Sequence, residues 1–133
     1  MQITRKKNKY LLVSIISIAL LMLGSHLWLQ QKIVDYQTSK PIVRLSQPQT
    51  EPTTIFFYKD NCPACQRIFK TVYLEKFLKR KNIQIVNLNQ VENRHYISEF
   101  DLHEVPTFIH YEFGQETNRY SGINKREIQE VIN

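Results

Sequence analysis

The sequence predicts an α/β fold, a central mixed sheet flanked by helices, preceded by one N-terminal transmembrane helix. Three observations lead there. Residues 10–29, YLLVSIISIALLMLGSHLWL, run for 20 positions without a formal charge. From residue 54 onward, short β-branched and aromatic runs alternate with helical patterns in the order β-α-β-α-β-β-α. The chain's two cysteines fall together in CPAC, Cys62–Cys65, between the first of those strands and the helix that follows it.

Twenty uncharged residues are enough to cross a bilayer core of ~30 Å as a helix. Arg5, Lys6, Lys7 and Lys9 precede the run and only Lys32 follows it closely, so the positive-inside rule places residues 1–9 in the cytoplasm and the body outside. Trp28 suits the outer interface. A cleaved signal peptide is the rival reading, but Gly24–Ser25 offers no A-x-A site, and the apolar run exceeds the usual length of about 7–15 residues. A buried core helix would need a far larger apolar domain around it. The expected order is a basic cytoplasmic N-terminus (1–9), a single-pass anchor in the cell membrane (10–29), a polar spacer (30–53) and an extracellular folded domain (54–133). Export bears on the cysteines, because disulfides persist outside the cytosol.

The first spacer residues prolong the anchor helix. Pro41, Pro48 and Pro52 then interrupt it, with Ile42–Leu45 as a short edge strand. Thr54–Tyr58, TIFFY, reads as a buried strand. Gln66–Arg80 reads as a helix on which Ile68, Phe69 and Val72 share a face with Cys65. Leu74, Phe77 and Leu78 continue that face with a shifted phase, implying a bend near Thr71–Tyr73. Ile83–Leu88 is a second strand, Val91–Phe100 a weaker helix and Pro106–Phe113 a third strand. Gly114 turns the chain into a hairpin partner, Thr117–Ser121. Asn124 and Glu127 are spaced as a capping pair for a last helix ending at Ile132. A strand, a crossover helix and a second strand require a parallel pair with a right-handed connection, and the final hairpin adds antiparallel pairing. Phe56, Phe57, Phe69, Phe108 and Tyr111 belong to the expected core, and Tyr58 could line the site.

The net charge of +6 is concentrated at the start: beyond residue 10, 14 basic residues face 12 acidic ones. The body lacks the basic, aromatic-interleaved surface of a nucleic-acid binder, so no nucleic-acid partner is expected. His95, His103 and His110 form no spaced pair with another ligand, which leaves a CPAC zinc half-site without partners and no metal expected. A purely structural Cys62–Cys65 disulfide would close a tiny loop and stabilise little.

A working dithiol fits the position better. Cys62 falls at the start of a helix, where partial positive charge and free N–H groups stabilise a thiolate. Cys62 is then the exposed nucleophile. Cys65, one turn deeper, can attack the mixed disulfide and release the partner. Pro63 suits the first turn, since it has no N–H to leave unpaired. Lys59 and Asp60 flank the motif; either could bias the thiolate electrostatically or simply form a solvated turn.

With TIFFYKDNCPAC, with EVPT (Glu104–Thr107) whose Pro106 stands 44 residues after Cys62, and with Gly114 and Gly122 following, residues 54–133 resemble the thioredoxin superfamily. The resemblance implies a thioredoxin-like fold and thiol–disulfide oxidoreductase activity of Cys62 and Cys65, supported by Pro63 and Ala64. It matches Pro106 to the family's cis-proline and Val105 to the residue before it, whose backbone an extended substrate would pair with. It implies no cofactor beyond the Cys62–Cys65 redox disulfide. The chain departs from plain thioredoxins in that the family's first strand and helix are reduced or lost in the spacer, and three further places differ. Phe56 stands where they carry a buried acid that helps deprotonate the second thiol. Asn61 replaces the usual Trp, and Pro63-Ala64 replaces Gly-Pro. Loss of the acid and the exported location favour oxidation or shuffling over reduction. Size, anchor and motif together resemble the bacteriocin transport accessory proteins, which implies an exported cysteine-containing protein or peptide as substrate. With no further cysteine in the chain, the redox partner must be a separate protein. The alternative is a non-catalytic thioredoxin-fold module that binds peptides for export, with dispensable cysteines.

The topology is directly testable. Full-length protein is expected to fractionate with membranes, and protease added to cell-wall-stripped cells should degrade the body. Protection of the body until lysis would reverse the orientation and turn both cysteines toward the reducing cytosol.

Overall fold

The computed structural model describes residues 2–39, 41–45 and 51–133, in two units, residues 1–38 and 39–133. Pro48 of the expected spacer lies outside the described residues.

The first unit is a single helix, α1 (Gln2–Ser39). Within it Asn8–Ser39 is long and apolar enough to cross a membrane by length and composition. Its serines do not leave hydroxyls unbonded in the apolar stretch. Ser14, Ser17 and Ser25 donate to the carbonyls of Leu11, Val13 and Met22 at 2.8–2.9 Å. The helix overruns the expected anchor at both ends. Residues 30–39 contain no glycine or proline, and Gln31 bonds Asp35 one turn on at 2.7 Å, so the helix continues almost to Pro41.

The second unit is built on a four-stranded sheet in the order β2-β1-β3-β4, from β1 (Thr53–Tyr58), β2 (Ile83–Asn87), β3 (Thr107–Glu112) and β4 (Gln115–Ser121). β1 lies parallel to β2 and antiparallel to β3, and all six of its residues are buried. Its side chains feed two cores. On one face Phe56 stacks on Phe108 (4.7 Å between centroids) and Tyr58 (5.4 Å), and Tyr58 meets Phe69 of α2 (Pro63–Phe77). The same face is closed by α4 (Lys125–Ile132), whose Val131 carbonyl accepts a bond from Thr54. On the other face Ile55, Phe57, Val86, Leu88 and Ile109 pack with Tyr96, Phe100 and Leu102. Each large side chain buried this way contributes ~1.5–3 kcal/mol. Tyr58 is therefore core, 1% exposed, and does not line the site; Tyr111 is only half-buried, edge-on to Phe100.

Element ends differ from the sequence reading for local reasons. α2 is continuous through Thr71–Tyr73 and stops at Phe77, because Arg80 turns left-handed (φ 55°) and the Lys81 N–H closes back on the Glu75 carbonyl. Phe77 and Leu78 are exposed, and the buried residue of that turn is Glu75. The expected helix over 91–100 is a 3₁₀ turn (Val91–Asn93) followed by the one-turn α3 (Tyr96–Glu99). The hairpin is tighter than expected. Phe113 and Gly114 both take positive φ (50° and 78°), the two-residue turn that pairs Glu112 with Gln115, so β4 starts two residues early. Asn124 caps α4 through the Arg126 N–H, but its own N–H goes to the Tyr120 hydroxyl, not to Glu127. Ile42–Leu45 is not a strand: side chains bind its backbone instead. Asn93 accepts from Val43 N–H and donates to Pro41 O, while Tyr96 Oη donates to Val43 O and accepts from Leu45 N–H.

Glu75 joins α2 to α4, accepting from Lys79 (2.6 Å) and Gln129 (2.9 Å). Burial pushes its carboxyl up, but those two bonds and the nearby lysines outweigh it and hold the pKa below the ordinary glutamate value. A lowered folded pKa gives stability that is present above the ordinary value and lost as pH falls through the folded one. Glu75→Gln is expected to cost about 1–2 kcal/mol at pH 7, from weakened charged bonds, and to flatten the loss of stability in acid. Urea melts between pH 7 and pH 3 check both.

Candidate active site

The site forms where β1 gives way to α2. Cys62 is still extended (φ −100°, ψ 109°) and is the N-cap of the helix: its Sγ accepts from the Cys65 N–H at 3.1 Å. A sulfur thus takes the place of the usual capping oxygen and satisfies one of the helix's free N–H groups. Pro63 follows as the first helical residue and is exposed; Ala64 is half-buried beside it. The Cys62 N–H closes the preceding turn on the Lys59 carbonyl (3.2 Å), and the Gln66 N–H begins the helix on the Cys62 carbonyl (3.1 Å).

The two free thiols differ in surroundings. Cys62 is partly exposed and its Sγ lies 3.6 Å from the Val105 carbonyl. Cys65 is fully buried. Burial first, then the hydrogen bond with the Cys62 thiol, push its pKa up to about 12; a backbone bond from Lys59 pulls weakly the other way. At neutral pH Cys65 is a protonated thiol waiting to lose its proton.

The Val105–Pro106 peptide bond is cis, Pro106 is buried, and Thr107 begins β3 directly after it. The structure therefore brings Cys62, Cys65, Pro63, Ala64, Val105 and Pro106 into one place. Lys59 holds the Cys62 N–H through its backbone carbonyl. Its side chain borders a shallow cleft whose walls include Leu88, Ile97, Leu102, Glu104 and Val105. Asp60 is turned away from a simple solvated role: both its carboxylate oxygens accept from Asn87 Nδ2 (2.9 and 3.0 Å), and its N–H donates to Asn89 Oδ1 (3.0 Å). Asn87 and Asn89 were not singled out from the sequence. The available signal was an asparagine closing an otherwise apolar strand, where an unpaired amide would be costly. Among the described residues no group of three or more His, Cys, Asp or Glu is placed to hold a metal ion.

The thioredoxin family model matches residues 36–133, beginning ahead of residue 54. Among solved structures, the fold is similar to Fasciola hepatica thioredoxin (TM-score 0.55, 21% identity, 77% of this chain and 88% of that one). It is also similar to Chlamydomonas reinhardtii thioredoxin f2 (0.53, 21%, 65% and 82%) and Malassezia sympodialis thioredoxin (0.53, 19%, 62% and 72%). No curated protein sequence matches.

The raised Cys65 pKa has a measurable consequence in the reduced protein. Its folded value lies above the ordinary thiol value of 9.0, so the associated stability is complete below pH 9 and is lost as pH climbs toward 12. Denaturant melts at pH 8 and pH 10 are expected to show wild type losing on the order of 1 kcal/mol more than Cys65→Ala. Parallel losses would place the thiol in an ordinary environment.

Proposed function

The chain belongs to the thioredoxin family, and from that premise we propose that it is a membrane-anchored, extracytoplasmic thiol–disulfide oxidoreductase that forms or shuffles disulfides in exported proteins or peptides, bacteriocins among them. The observation that carries the reading is the pairing of an exposed, helix-capping Cys62 with a buried, protonated Cys65 beside the Val105 carbonyl.

In the oxidising direction the Cys62–Cys65 disulfide is the oxidant. A substrate thiolate attacks the Cys62 sulfur, the S–S bond breaks, and Cys65 leaves and takes up a proton. The substrate's second thiol, losing its proton, then attacks its own sulfur in the mixed disulfide and expels Cys62 as the thiolate. The substrate loses two electrons to the pair: the proton released by its second thiol balances the one taken up by Cys65, and Cys62 leaves as the thiolate. The oxidant that restores the pair comes from outside the chain, which has no other cysteine, and a separate partner protein is the proposed source. Shuffling uses the same mixed disulfide, entered by Cys62 attacking a wrong substrate disulfide and left by another substrate thiol.

Cys65 helps set the direction. Cys65 can attack the mixed disulfide only as its thiolate, and burial, the main cause of its raised pKa in the dithiol, disfavours that form at neutral pH. The resulting delay lets the substrate's own second cysteine complete the reaction. Phe56, in place of an acid that would take the Cys65 proton, supports the same reading. The Val105 backbone offers an extended substrate a strand-like partner, and the adjoining cleft provides apolar walls from Leu88, Ile97 and Leu102 with Lys59 and Glu104 at its edge.

Full-length protein in detergent, given a reduced two-cysteine peptide and an oxidant such as oxidised glutathione, is expected to speed disulfide formation. Cys62→Ser should remove at least ~99% of that acceleration, since the nucleophile is lost. Cys65→Ser should accumulate mixed disulfides, visible on non-reducing gels. Equal rates for wild type and Cys62→Ser would refute the catalytic reading.

A further inference from the structure

The turn that carries the dithiol is fastened to a distant part of the chain by a continuous polar line. Asn87 and Asn93 are both 0% exposed. From the dithiol side, the Lys59 carbonyl holds the Cys62 N–H, and Asp60 next to it is gripped by Asn87 Nδ2 at both carboxylate oxygens. Asn89 adds a second grip, its side chain accepting from the Asp60 N–H and its own N–H donating to Asn87 Oδ1. The Asn87 carbonyl accepts from Asn93 Nδ2 at 3.0 Å. Asn93 then spends the rest of its carboxamide on the strap, residues 41–45, with Nδ2 to Pro41 O and Oδ1 from Val43 N–H, both 3.1 Å. Tyr96 Oη ties the strap twice more. Val43 and Leu45 pack on the core face that also holds Leu88 and Val105.

We propose that Asn87 and Asn93 are positioning residues of the dithiol, and that docking of the strap, through them, stabilises the reduced form. Neither residue touches a sulfur. These side-chain bonds of both go to backbone or to Asp60, so removing either takes away contacts, among them the one to the buried Asn87 carbonyl, and loosens the hold on the 59–61 turn. The bonds at the Cys62 sulfur that the turn positions, from the Cys65 N–H and toward the Val105 carbonyl, are those of the dithiol, with both thiols free. A looser turn holds them less well and shifts the couple toward the disulfide. The inference rests on the oxidoreductase reading of the same cysteines and adds a control on their potential.

The test equilibrates full-length protein in detergent with mixtures of reduced and oxidised glutathione and reads the dithiol fraction by alkylation. Asn87→Ala and Asn93→Ala are each expected to favour the disulfide at least tenfold over wild type, a shift of about 30 mV. Tyr96→Phe keeps the ring in the core and removes only the two strap bonds; it should move the couple the same way by about threefold. Glu75→Gln, toward the far end of α2, controls for general loss of stability and should stay within about twofold of wild type. Unchanged constants in the asparagine variants, a shift toward the dithiol, or an equal shift in Glu75→Gln overturns the inference. If the asparagine variants do not fold, Tyr96→Phe decides alone, and no shift there overturns it. Failure of the oxidoreductase reading is told apart because it shows in wild type, whose cysteines would then not exchange with glutathione at all.

Discussion

The hydrogen bond from the Cys65 N–H to the Cys62 sulfur ties the chemistry to the architecture. The atom that caps α2 is also the atom proposed to react, so neither the helix start nor the sulfur can move without the other. For that cap to form, the chain must leave β1 extended, turn through Lys59–Asn61, and enter the helix at a residue that needs no N–H partner. Each condition is met by a neighbouring part of the molecule. β1 is buried on both faces, which pins where the strand ends. Pro63 enters the helix without a donor. The turn between them is held from outside itself, by asparagines at the end of β2 and in the loop beyond it.

Burial on the α2 face of the sheet also decides the difference between the two thiols. Phe56 stacks on Phe108 and Tyr58 where plain thioredoxins place a carboxylate, and Cys65 is fully buried at the base of α2. An aromatic ring at position 56 strengthens the core and provides no base. Cys65 stays protonated chiefly because it is buried in that face.

Much of this was legible in the sequence, and the misses have physical causes. TIFFY, IQIVN and TFIHYE lie in strands because runs of β-branched and aromatic residues carry a strong signal, and CPAC with EVPT marked both halves of the candidate site. Periodicity failed where polar side chains override it. Leu74, Phe77 and Leu78 looked like a continuing face, yet the helix closes through Arg80 and buries Glu75 against Gln129. Val91–Phe100 looked like one helix, yet Asn93 and Tyr96 direct their side chains to the strap and the segment breaks around them. Ile42–Leu45 looked like an edge strand because its backbone needs partners; those partners are side chains some 50 residues on, which local pattern does not reveal. Asn87 was hidden for the same reason, since its role depends on Asp60 being brought beside it.

The fastening of the dithiol turn is made almost wholly of carboxamides. Asn87, Asn89 and Asn93 carry no charge at any pH a living cell meets, and hydrogen bonds between neutral groups are not screened by dissolved ions as paired charges are. A domain held outside the membrane, as proposed, cannot rely on the buffering of the cytosol and meets whatever acidity and ionic strength the medium imposes. Asparagine in place of an acid–lysine pair keeps most of these contacts between neutral groups, the bonds from Asn87 to the Asp60 carboxylate being the exception.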